Sequence, residues 1–519
     1  MIKEKKIFLT YSLLTLIILL LLKVDYRFEE IYSGGAQDDS SYYYHAQTIA
    51  IDKDLDYTNQ LNGNLIDAHI REDNKPVPRQ SFGPGLLSAP FLFFSNLISK
   101  YLQISSNTSF NYLTYSFVTC FYLFLSLVLL KKTIKVKNTS ESSKILLFTF
   151  GSGVTYYAFE RFSMSVVYEF FSVCLTIYLV NKIFQSDEYK YKKILIFHLP
   201  IVQFFMLINR WNNIHLFIIP VVYAYLYKKN LKEIFGNVYF YLGNIFGIGL
   251  FLIHTKLLYG IFTLSQKSIA APGWIVTERM EKFFNVKNLF SNILFSFKYF
   301  INTCFSMEFG IFYFSAIIFS GIIFLIYYFL NKRYKLAFFL SLFYLVPFLP
   351  ILVFENHAGS YGFRYLFTLI PLNIIIYFKD FSNVKALNIY LVAFSIFGIF
   401  SQLFFESTPL SSLSEGTITN SFNSQSAYSN PDYLRGLIKS FFVPTAYLKV
   451  IFTSFFGVLI IKFINIFVSF EELIENYYTI DNQLFELLVS INKFSWIYFT
   501  VIISLIILSI RSILYKTYG

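Results

Sequence analysis

Two adjacent carboxylates, Asp38 and Asp39, stand after the first apolar run of the chain and just before the stretch Tyr42-Tyr43-Tyr44-His45. A carboxylate beside a hydroxyl can accept its proton, which is the role of a general base. The pair could also bind a divalent cation as a cofactor, although the sequence shows no cluster of further metal ligands. Because the stretch that follows has helical character, capping of that helix is the structural alternative.

Arginines recur where apolar segments end, and Arg364, Arg210 and Arg79 are candidates for binding a phosphate. A planar guanidinium presents two parallel N–H groups that match phosphate oxygens. Arg364 follows the glycine-bracketed stretch 359–362, which allows a ligand to approach the backbone closely. Each of these side chains could equally serve in a structural ion pair, so the hypothesis rests on their grouping. The remaining candidates for substrate binding are Tyr43, His45, Glu160, Arg161 and His357.

Composition indicates which kind of molecule must position these groups. Of the 519 residues 55% are hydrophobic and only 14% are charged, whereas soluble domains average about 25% charged. Apolar stretches of about 20 residues, the length of a membrane-spanning helix, recur along the chain. The net charge of +12 does not indicate nucleic acid, because the basic residues lie mostly in short loops between apolar runs. The three cysteines form no CxxC pair and predict neither a disulfide framework nor a zinc site.

The apolar runs predict an all-α, polytopic transmembrane bundle of about 12–13 helices. The first helix covers residues 7–22, and residues 24–109 form an outer loop. Within that loop, Gly83–Ser99 is short for a span and is interpreted as a helix lying at the outer surface. The later spans are predicted near residues 110–130, 144–159, 164–185, 193–209, 213–227, 236–259, 308–330, 335–354, 363–378, 386–405, 444–469 and 494–512.

Loop charge sets the predicted orientation. If Gly83–Ser99 does not cross, every lysine-rich short loop falls on the same side of the membrane as the N-terminus. By the positive-inside rule that side is the cytoplasm. The carboxylate pair and the arginines then gather on the outer face, since ionisable groups at membrane depth usually face a cavity or one another. The lysine-rich loops cover residues 131–137, 190–193, 228–232, 332–335 and 379–385.

This order of features resembles the GT-C class of membrane glycosyltransferases, which includes protein O-mannosyltransferases and lipid A aminoarabinose transferases. The resemblance is carried by the acidic pair followed by YYYHAQTIA, the Gly/Pro-rich stretch Arg79–Leu87, Gly153–Ala158, Asn209–Asn212 and Gly359–Tyr365. It covers residues 1–405, a GT-C-like catalytic region, and leaves 406–519 as an outer loop and C-terminal helices without an assigned role. The acidic pair is Asp-Asp where many relatives have Asp-Glu, and Phe82–Leu86 replaces the usual Lys-Pro-Pro-Leu or His-Pro-Pro.

The resemblance implies an inverting transfer of a sugar from a polyprenyl-phosphate donor to a glycan, lipid or protein acceptor. Asp38 or Asp39 would deprotonate the acceptor hydroxyl. Arg364, Arg210 and Arg79 would hold the lipid phosphate. The expected setting is a bacterial cytoplasmic membrane, with the N-terminus inside, the active site facing outward and cell-envelope glycan as the product.

Three other hypotheses for the function remain open. A transporter or lipid flippase would show inverted repeats and helices broken at the membrane midplane, whereas the polar residues here lie at outer helix ends and no repeat is seen. A glycan polymerase or ligase would use a lipid-diphosphate donor, and donor preference separates it from the first reading. A membrane scaffold without activity would tolerate replacement of the carboxylates.

Overall fold

The computed structural model describes residues 14–22, 37–61, 68–78, 80–103, 107–136, 139–264, 289–306, 310–354, 363–404, 442, 450–451, 454–464, 466–467, 500 and 504. These residues are mostly α-helical. Five of the described helices are long and apolar enough to cross a membrane, which supports the helical-bundle prediction. The five spans are Phe110–Ile134, Val166–Gln185, Val238–Tyr259, Tyr334–Ile351 and Lys385–Phe404. The larger count of 12–13 spans stays a prediction.

The described elements, in chain order, are α1 (residues 14–21), α2 (Gln37–Gln47), a π-turn (Thr48–Asp52), α3 (Thr58–Leu61), β1 (Ala68–Ile70), β2 (Pro76–Pro78), α4 (Gly83–Tyr101), α5 (Asn107–Ile134), α6 (Thr139–Phe150), α7 (Val154–Phe159), α8 (Val166–Gln185), α9 (Tyr189–Leu207), a 3₁₀ segment (Trp211–Ile218), α10 (Ile219–Tyr227), α11 (Lys232–Phe235), α12 (Val238–Tyr259), α13 (Leu289–Phe305), α14 (Ile311–Phe314), α15 (Ala316–Leu330), α16 (Tyr334–Phe354), a second 3₁₀ segment (Arg364–Leu369), α17 (Ile370–Ile376), a second π-turn (Tyr377–Phe381), α18 (Lys385–Phe404) and α19 (Phe455–Ile464).

Helix α8 lies at the centre of the bundle. It packs between α5 and α9, and α9 packs along its other side against α12. In the most apolar window of each helix, 78% of α8 is buried but only 22% of α12, so α12 is peripheral. The hydroxyls of Ser172 and Thr176 donate to backbone carbonyls four residues earlier, which satisfies these polar groups inside an apolar helix.

The predicted span 144–159 is two helices, α6 and α7. Gly153, between them, has φ 95°, a left-handed conformation that an α-helix cannot contain. The hydropathy pattern runs smoothly across this point, because glycine interrupts the backbone without interrupting apolar character. The break turns the chain just before the segment that carries Glu160 and Arg161.

The predicted spans at 213–227 and 363–378 share one construction. Each begins as a 3₁₀ segment and becomes an α-helix at an Ile-Pro pair, Ile219-Pro220 in the first and Ile370-Pro371 in the second. Proline suits the first turn of an α-helix because its fixed φ is helical and the missing N–H would have no intrahelical partner there. Arg210 immediately precedes the first 3₁₀ segment, and Arg364 is the first residue of the second.

The hairpin of the first loop and helix α13 were not predicted. Residues 68–78 form a small antiparallel hairpin, because prolines at 76 and 78 disfavour helix while Asn74 adopts the left-handed conformation that the turn requires. Helix α13 lies between predicted spans. Polar residues such as Ser296, Lys298 and Asn302 interrupt its apolar run, and its 17 residues are at the lower limit of length for a span.

The first-loop helix α2 packs on α4, the helix predicted to lie at the surface. The two glycines at the start of α4 make this contact close. A β-carbon at Gly85 would lie 2.3 Å from Cβ of His45, and one at Gly83 would lie 2.6 Å from the backbone nitrogen of Asn209. The Gly83-Pro84-Gly85 motif therefore joins α2, α4 and the chain leading to Arg210.

A close crossing of α6 and α18 gives a test of the fold. A β-carbon at Gly398 would lie 2.2 Å from the carbonyl oxygen of Gly151, so Gly398→Ala must push the helices apart. We expect a loss of about 1–3 kcal/mol in the free energy of unfolding, measured as a lower melting temperature in detergent. Gly249→Ala is the matched control, because a β-carbon there has no neighbour within 4 Å. Equal melting temperatures for the two variants would contradict this packing.

Candidate functional site

Asp39 lies in the first turn of α2 and is fully buried. Its Oδ2 accepts hydrogen bonds from Nε and Nη2 of Arg161 at 3.1 and 2.8 Å, and its Oδ1 accepts one from the Ser163 hydroxyl. Both carboxylate oxygens are thus engaged, and a guanidinium compensates the buried charge. Asp38 and Asp39 are the second and third residues of α2, within its first turn and not at the capping position before it.

The partners of Asp39 come from the connection between α7 and α8. Arg161 N donates to the carbonyl of Tyr156 at 3.0 Å, and Met164 N donates to the carbonyl of Arg161 at 3.3 Å, so this connection is a tight turn. Glu160, also a candidate, is buried at the C-terminus of α7. The break between α6 and α7 at Gly153 sets the direction in which the chain enters this turn.

Arg210 pairs with a carboxylate that the sequence reasoning missed. Its Nη1 lies 2.9 Å from Oε1 of Glu169, which is buried in the first turn of α8. That same Oε1 accepts a hydrogen bond from the Ser165 hydroxyl at 2.6 Å. Nη1 of Arg210 makes no hydrogen bond of good geometry within the described residues. The contact with Glu169 is therefore a charge contact that leaves a donor available to a ligand.

Arg364 and Arg210 converge on one aromatic ring. The Cζ atoms of Arg210 and Arg364 lie 4.8 and 5.4 Å from the centroid of the Tyr365 ring. The two guanidiniums are close enough to repel each other electrostatically, and Tyr42 of α2 also interacts with Arg210. A tyrosine face attracts cations, so the shared ring offsets part of that repulsion. Two cationic forks side by side form a suitable site for a phosphate.

The turn between α7 and α8 contacts both Asp39 and the residues around the two arginines. Arg161 and Ser163 bind the carboxylate of Asp39. Met164 Sδ lies 3.7 Å from Nη1 of Arg364, and Ser165 binds Glu169, the partner of Arg210. Residues 161–165 therefore connect the carboxylate side of the site to the arginine side. We call Asp39, Arg161, Glu169, Arg210, Arg364 and Tyr365 the charged cluster.

His45 and Tyr43 belong to α2 but contact other neighbours. The ring nitrogens of His45 bind the hydroxyl of Tyr57 at 2.8 Å and the carbonyl of Gln80 at 3.0 Å. Burial lowers the pKa of His45 to about 3, so its ring is neutral at physiological pH. Tyr43 stacks on Tyr112 with ring centroids 4.8 Å apart. Among described contacts, both residues fix α2 in place.

Other candidates lie partly or wholly outside the described residues. Arg79 and His357 do so completely, and for Asp38 only the backbone in α2 is described. Within the described part of the chain, no three His, Cys, Asp or Glu side chains come together as a metal site. Asp39, whose oxygens are both occupied by side-chain donors, does not offer a free ligand to a cation.

An apolar cavity of about 520 Å³ opens between α4, α5, α8, α9 and α12, next to the charged cluster. Ile208, in its wall, is two residues from Arg210. Between them, Asn209 Nδ2 donates to the Ser172 hydroxyl at 2.8 Å and so fixes the chain where cavity and cluster meet. The other walls include Leu87, Phe121, Tyr122, Phe171 and Phe251.

The pair of Asp39 with Arg161 gives a stability test. Arg161→Ala leaves a fully buried carboxylate without its cation, and we expect the free energy of unfolding to fall by about 3–5 kcal/mol. The double variant R161A/D39N removes both charges and should recover part of that loss. Lys75→Ala is the control, because Lys75 pairs with Asp56 at the exposed surface and should change the melting temperature little. A melting temperature for R161A no lower than that of Lys75→Ala would contradict the burial of the pair.

Comparison of the chain with protein-family models, with curated proteins and with solved structures finds no match in any of the three.

Proposed function

We propose that this protein is a membrane glycosyltransferase of the GT-C type. It would transfer a sugar from a polyprenyl-phosphate donor to an acceptor hydroxyl, with inversion, on the outer face of the membrane. The observation that carries the proposal is the convergence of Arg210 and Arg364 on Tyr365 beside an apolar cavity. A lipid phosphate needs both features, a cationic site for its head and an apolar space for its tail.

The arginines would bind the phosphate of the donor. In the reaction the bond between the anomeric carbon and the phosphate oxygen breaks, and the leaving phosphate gains negative charge. Two guanidiniums placed beforehand around that oxygen stabilise the developing charge more than they stabilise the ground state. Glu169 and Tyr365 position Arg210 through an ion pair and a cation–π contact.

The carboxylates would act on the acceptor. As the acceptor oxygen attacks the anomeric carbon from the face opposite the phosphate, its proton passes to a carboxylate, and a single displacement inverts the configuration. Asp39 already accepts from Arg161 and Ser163 through both oxygens, so neither oxygen is free to take the proton of an acceptor hydroxyl. Asp38 is therefore assigned as the base, and Asp39 as the residue that holds α2 against the turn between α7 and α8.

The apolar cavity would hold the first part of the polyprenyl chain. It lies between helices that include the peripheral α12, so a tail can pass from the cavity into the bilayer. The lysine-rich loops favour an orientation with the N-terminus in the cytoplasm and the charged cluster outside. The catalytic region would be residues 1–405, and the acceptor a glycan, lipid or protein of the cell envelope.

The carboxylate roles are separable by substitution. We expect Asp38→Asn to reduce sugar transfer to background while leaving the melting temperature unchanged. Asp39→Asn should lower both, because it leaves Arg161 without its counter-charge. The measurement is release of polyprenyl phosphate from a panel of polyprenyl-phosphate sugars, with melting temperatures on the same preparations. Wild-type turnover by D38N would reject its role as the base, and turnover only with polyprenyl-diphosphate sugars would favour a polymerase or ligase.

The phosphate site is tested at Arg364. Lysine keeps the charge but loses the forked contact, so Arg364→Lys should weaken binding of polyprenyl monophosphate, and Arg364→Ala should weaken it more. A loss of about 10²–10³ in transfer rate is expected for the alanine variant. Binding is measured in excess phosphatidylglycerol, which saturates non-specific anionic-lipid sites.

Arg71→Ala, which removes a guanidinium paired with Asp73 at the outer surface, is the matched control and should leave affinity unchanged. The alternative role for Arg364 is a structural pair with Glu355, which lies outside the described residues. In that case Arg364→Ala would lower the melting temperature while the affinity for polyprenyl monophosphate stayed at the parent value.

A further inference from the structure

Lysines occupy helix ends at which a β-carbon is unfavourable. Six described residues other than glycine have positive φ, and four of them are lysines: Lys53, Lys135, Lys228 and Lys332. In this left-handed conformation glycine or asparagine is the usual residue, because the β-carbon crowds the following carbonyl. A lysine at such a position needs a reason other than backbone geometry.

Lys228 and Lys332 belong to connections that the structure brings together. Arg333 Nη2 donates to the carbonyl of Tyr225 at 3.3 Å, and its Nη1 donates to Asp380 Oδ2 at 2.9 Å. Arg333 therefore ties the α15–α16 turn to the end of α10 and to the π-turn after α17. Lys379 Nζ lies 5.1 Å from the centroid of the Tyr227 ring, which closes the same group of connections.

The surface formed by these connections is basic. Two carboxylates occur in them, and both are already paired: Asp380 with Arg333 at 2.9 Å and Glu233 with Lys192 at 2.5 Å. Within the described residues, no ion pair joins a carboxylate to any of the lysines that remain exposed. We call six of these lysines the basic patch: Lys228, Lys229, Lys332, Lys335, Lys379 and Lys385.

The basic patch and the charged cluster lie at opposite ends of the same two helical segments. From Arg210 to Lys228 the chain runs through a 3₁₀ segment and α10, which together rise about 30 Å. From Arg364 to Lys379 the corresponding rise is about 25 Å. The hydrocarbon layer of a bilayer is about 30 Å thick. If the charged cluster lies at one membrane surface, the basic patch lies at the headgroup level of the other.

We propose that the basic patch is a binding site for the headgroups of anionic phospholipids. An anionic headgroup brings phosphate oxygens to lysines that lack a carboxylate partner, at the membrane depth where such headgroups occur. The left-handed lysines supply this charge at helix C-termini, where a cation is also favourable to the helix dipole. The proposal does not depend on the glycosyltransferase activity, because it concerns the other end of the bundle.

The test uses the full chain in an uncharged detergent, titrated with phosphatidylglycerol or with phosphatidylcholine. The double variant K228G/K332G removes two charges while relieving both left-handed β-carbons, so it should fold at least as well as the parent. Phosphatidylglycerol should raise the melting temperature of the parent more than phosphatidylcholine does. In the double variant, the phosphatidylglycerol concentration that gives half of this rise in melting temperature should increase about 25-fold, since each lysine near an anionic surface contributes about fivefold.

Lys53→Gly is the matched control, because Lys53 has the same left-handed backbone, φ 64°, in the first outer loop. It should respond to phosphatidylglycerol as the parent does. Three results would overturn the proposal: an unchanged half-effect concentration in K228G/K332G, an equal loss in Lys53→Gly, or the same stabilisation by inorganic phosphate alone. Counting bound phosphatidylglycerol by native mass spectrometry gives a second readout, in which the double variant should retain fewer molecules.

Discussion

A charge placed inside an apolar helical bundle must be compensated, and the site described here depends on one such compensation. The carboxylate of Asp39 is fully buried, and it is stable there because Arg161 and Ser163 donate to both of its oxygens. Through this contact α2, an element of the first loop, is fixed to the centre of the bundle. The turn that supplies Arg161 then continues to Met164 and Ser165, so the position of α2 and the position of the arginines are linked.

Charged side chains are buried at one end of the bundle and exposed at the other. In the charged cluster, two buried carboxylates are paired with arginines, and Arg210 and Arg364 approach the same aromatic ring. In the basic patch, the lysines are exposed and the nearby carboxylates are already neutralised. Buried pairs suit a site that must hold one ligand in one geometry, because each partner restricts the other. Exposed lysines suit a mobile, fluid ligand such as a headgroup, because their side chains can rearrange.

Part of this arrangement could be predicted from the sequence. The long apolar runs predicted the ends of α8 and α12 to within about two residues, because hydropathy alone determines where such helices begin and end. The grouping of Arg210 and Arg364 followed from alternating the spans. The break at Gly153 was missed because it leaves hydropathy unchanged. Glu169 was missed because its partner, Arg210, is distant in the sequence, and no local pattern in an apolar stretch reveals a long-range ion pair.

The 3₁₀ segments increase the length of the two helical stretches that they begin. The stretch from Trp211 to Tyr227 has too few residues to cross a hydrocarbon layer as a plain α-helix, which rises about 1.5 Å per residue. A 3₁₀ turn rises about 2.0 Å per residue, so the eight residues Trp211–Ile218 lengthen the stretch by about 4 Å. The six residues Arg364–Leu369 lengthen the other by about 3 Å. The tighter winding thus increases the distance from each arginine to the far end of its segment, and a change to α-helical winding would shorten that distance by the same amount.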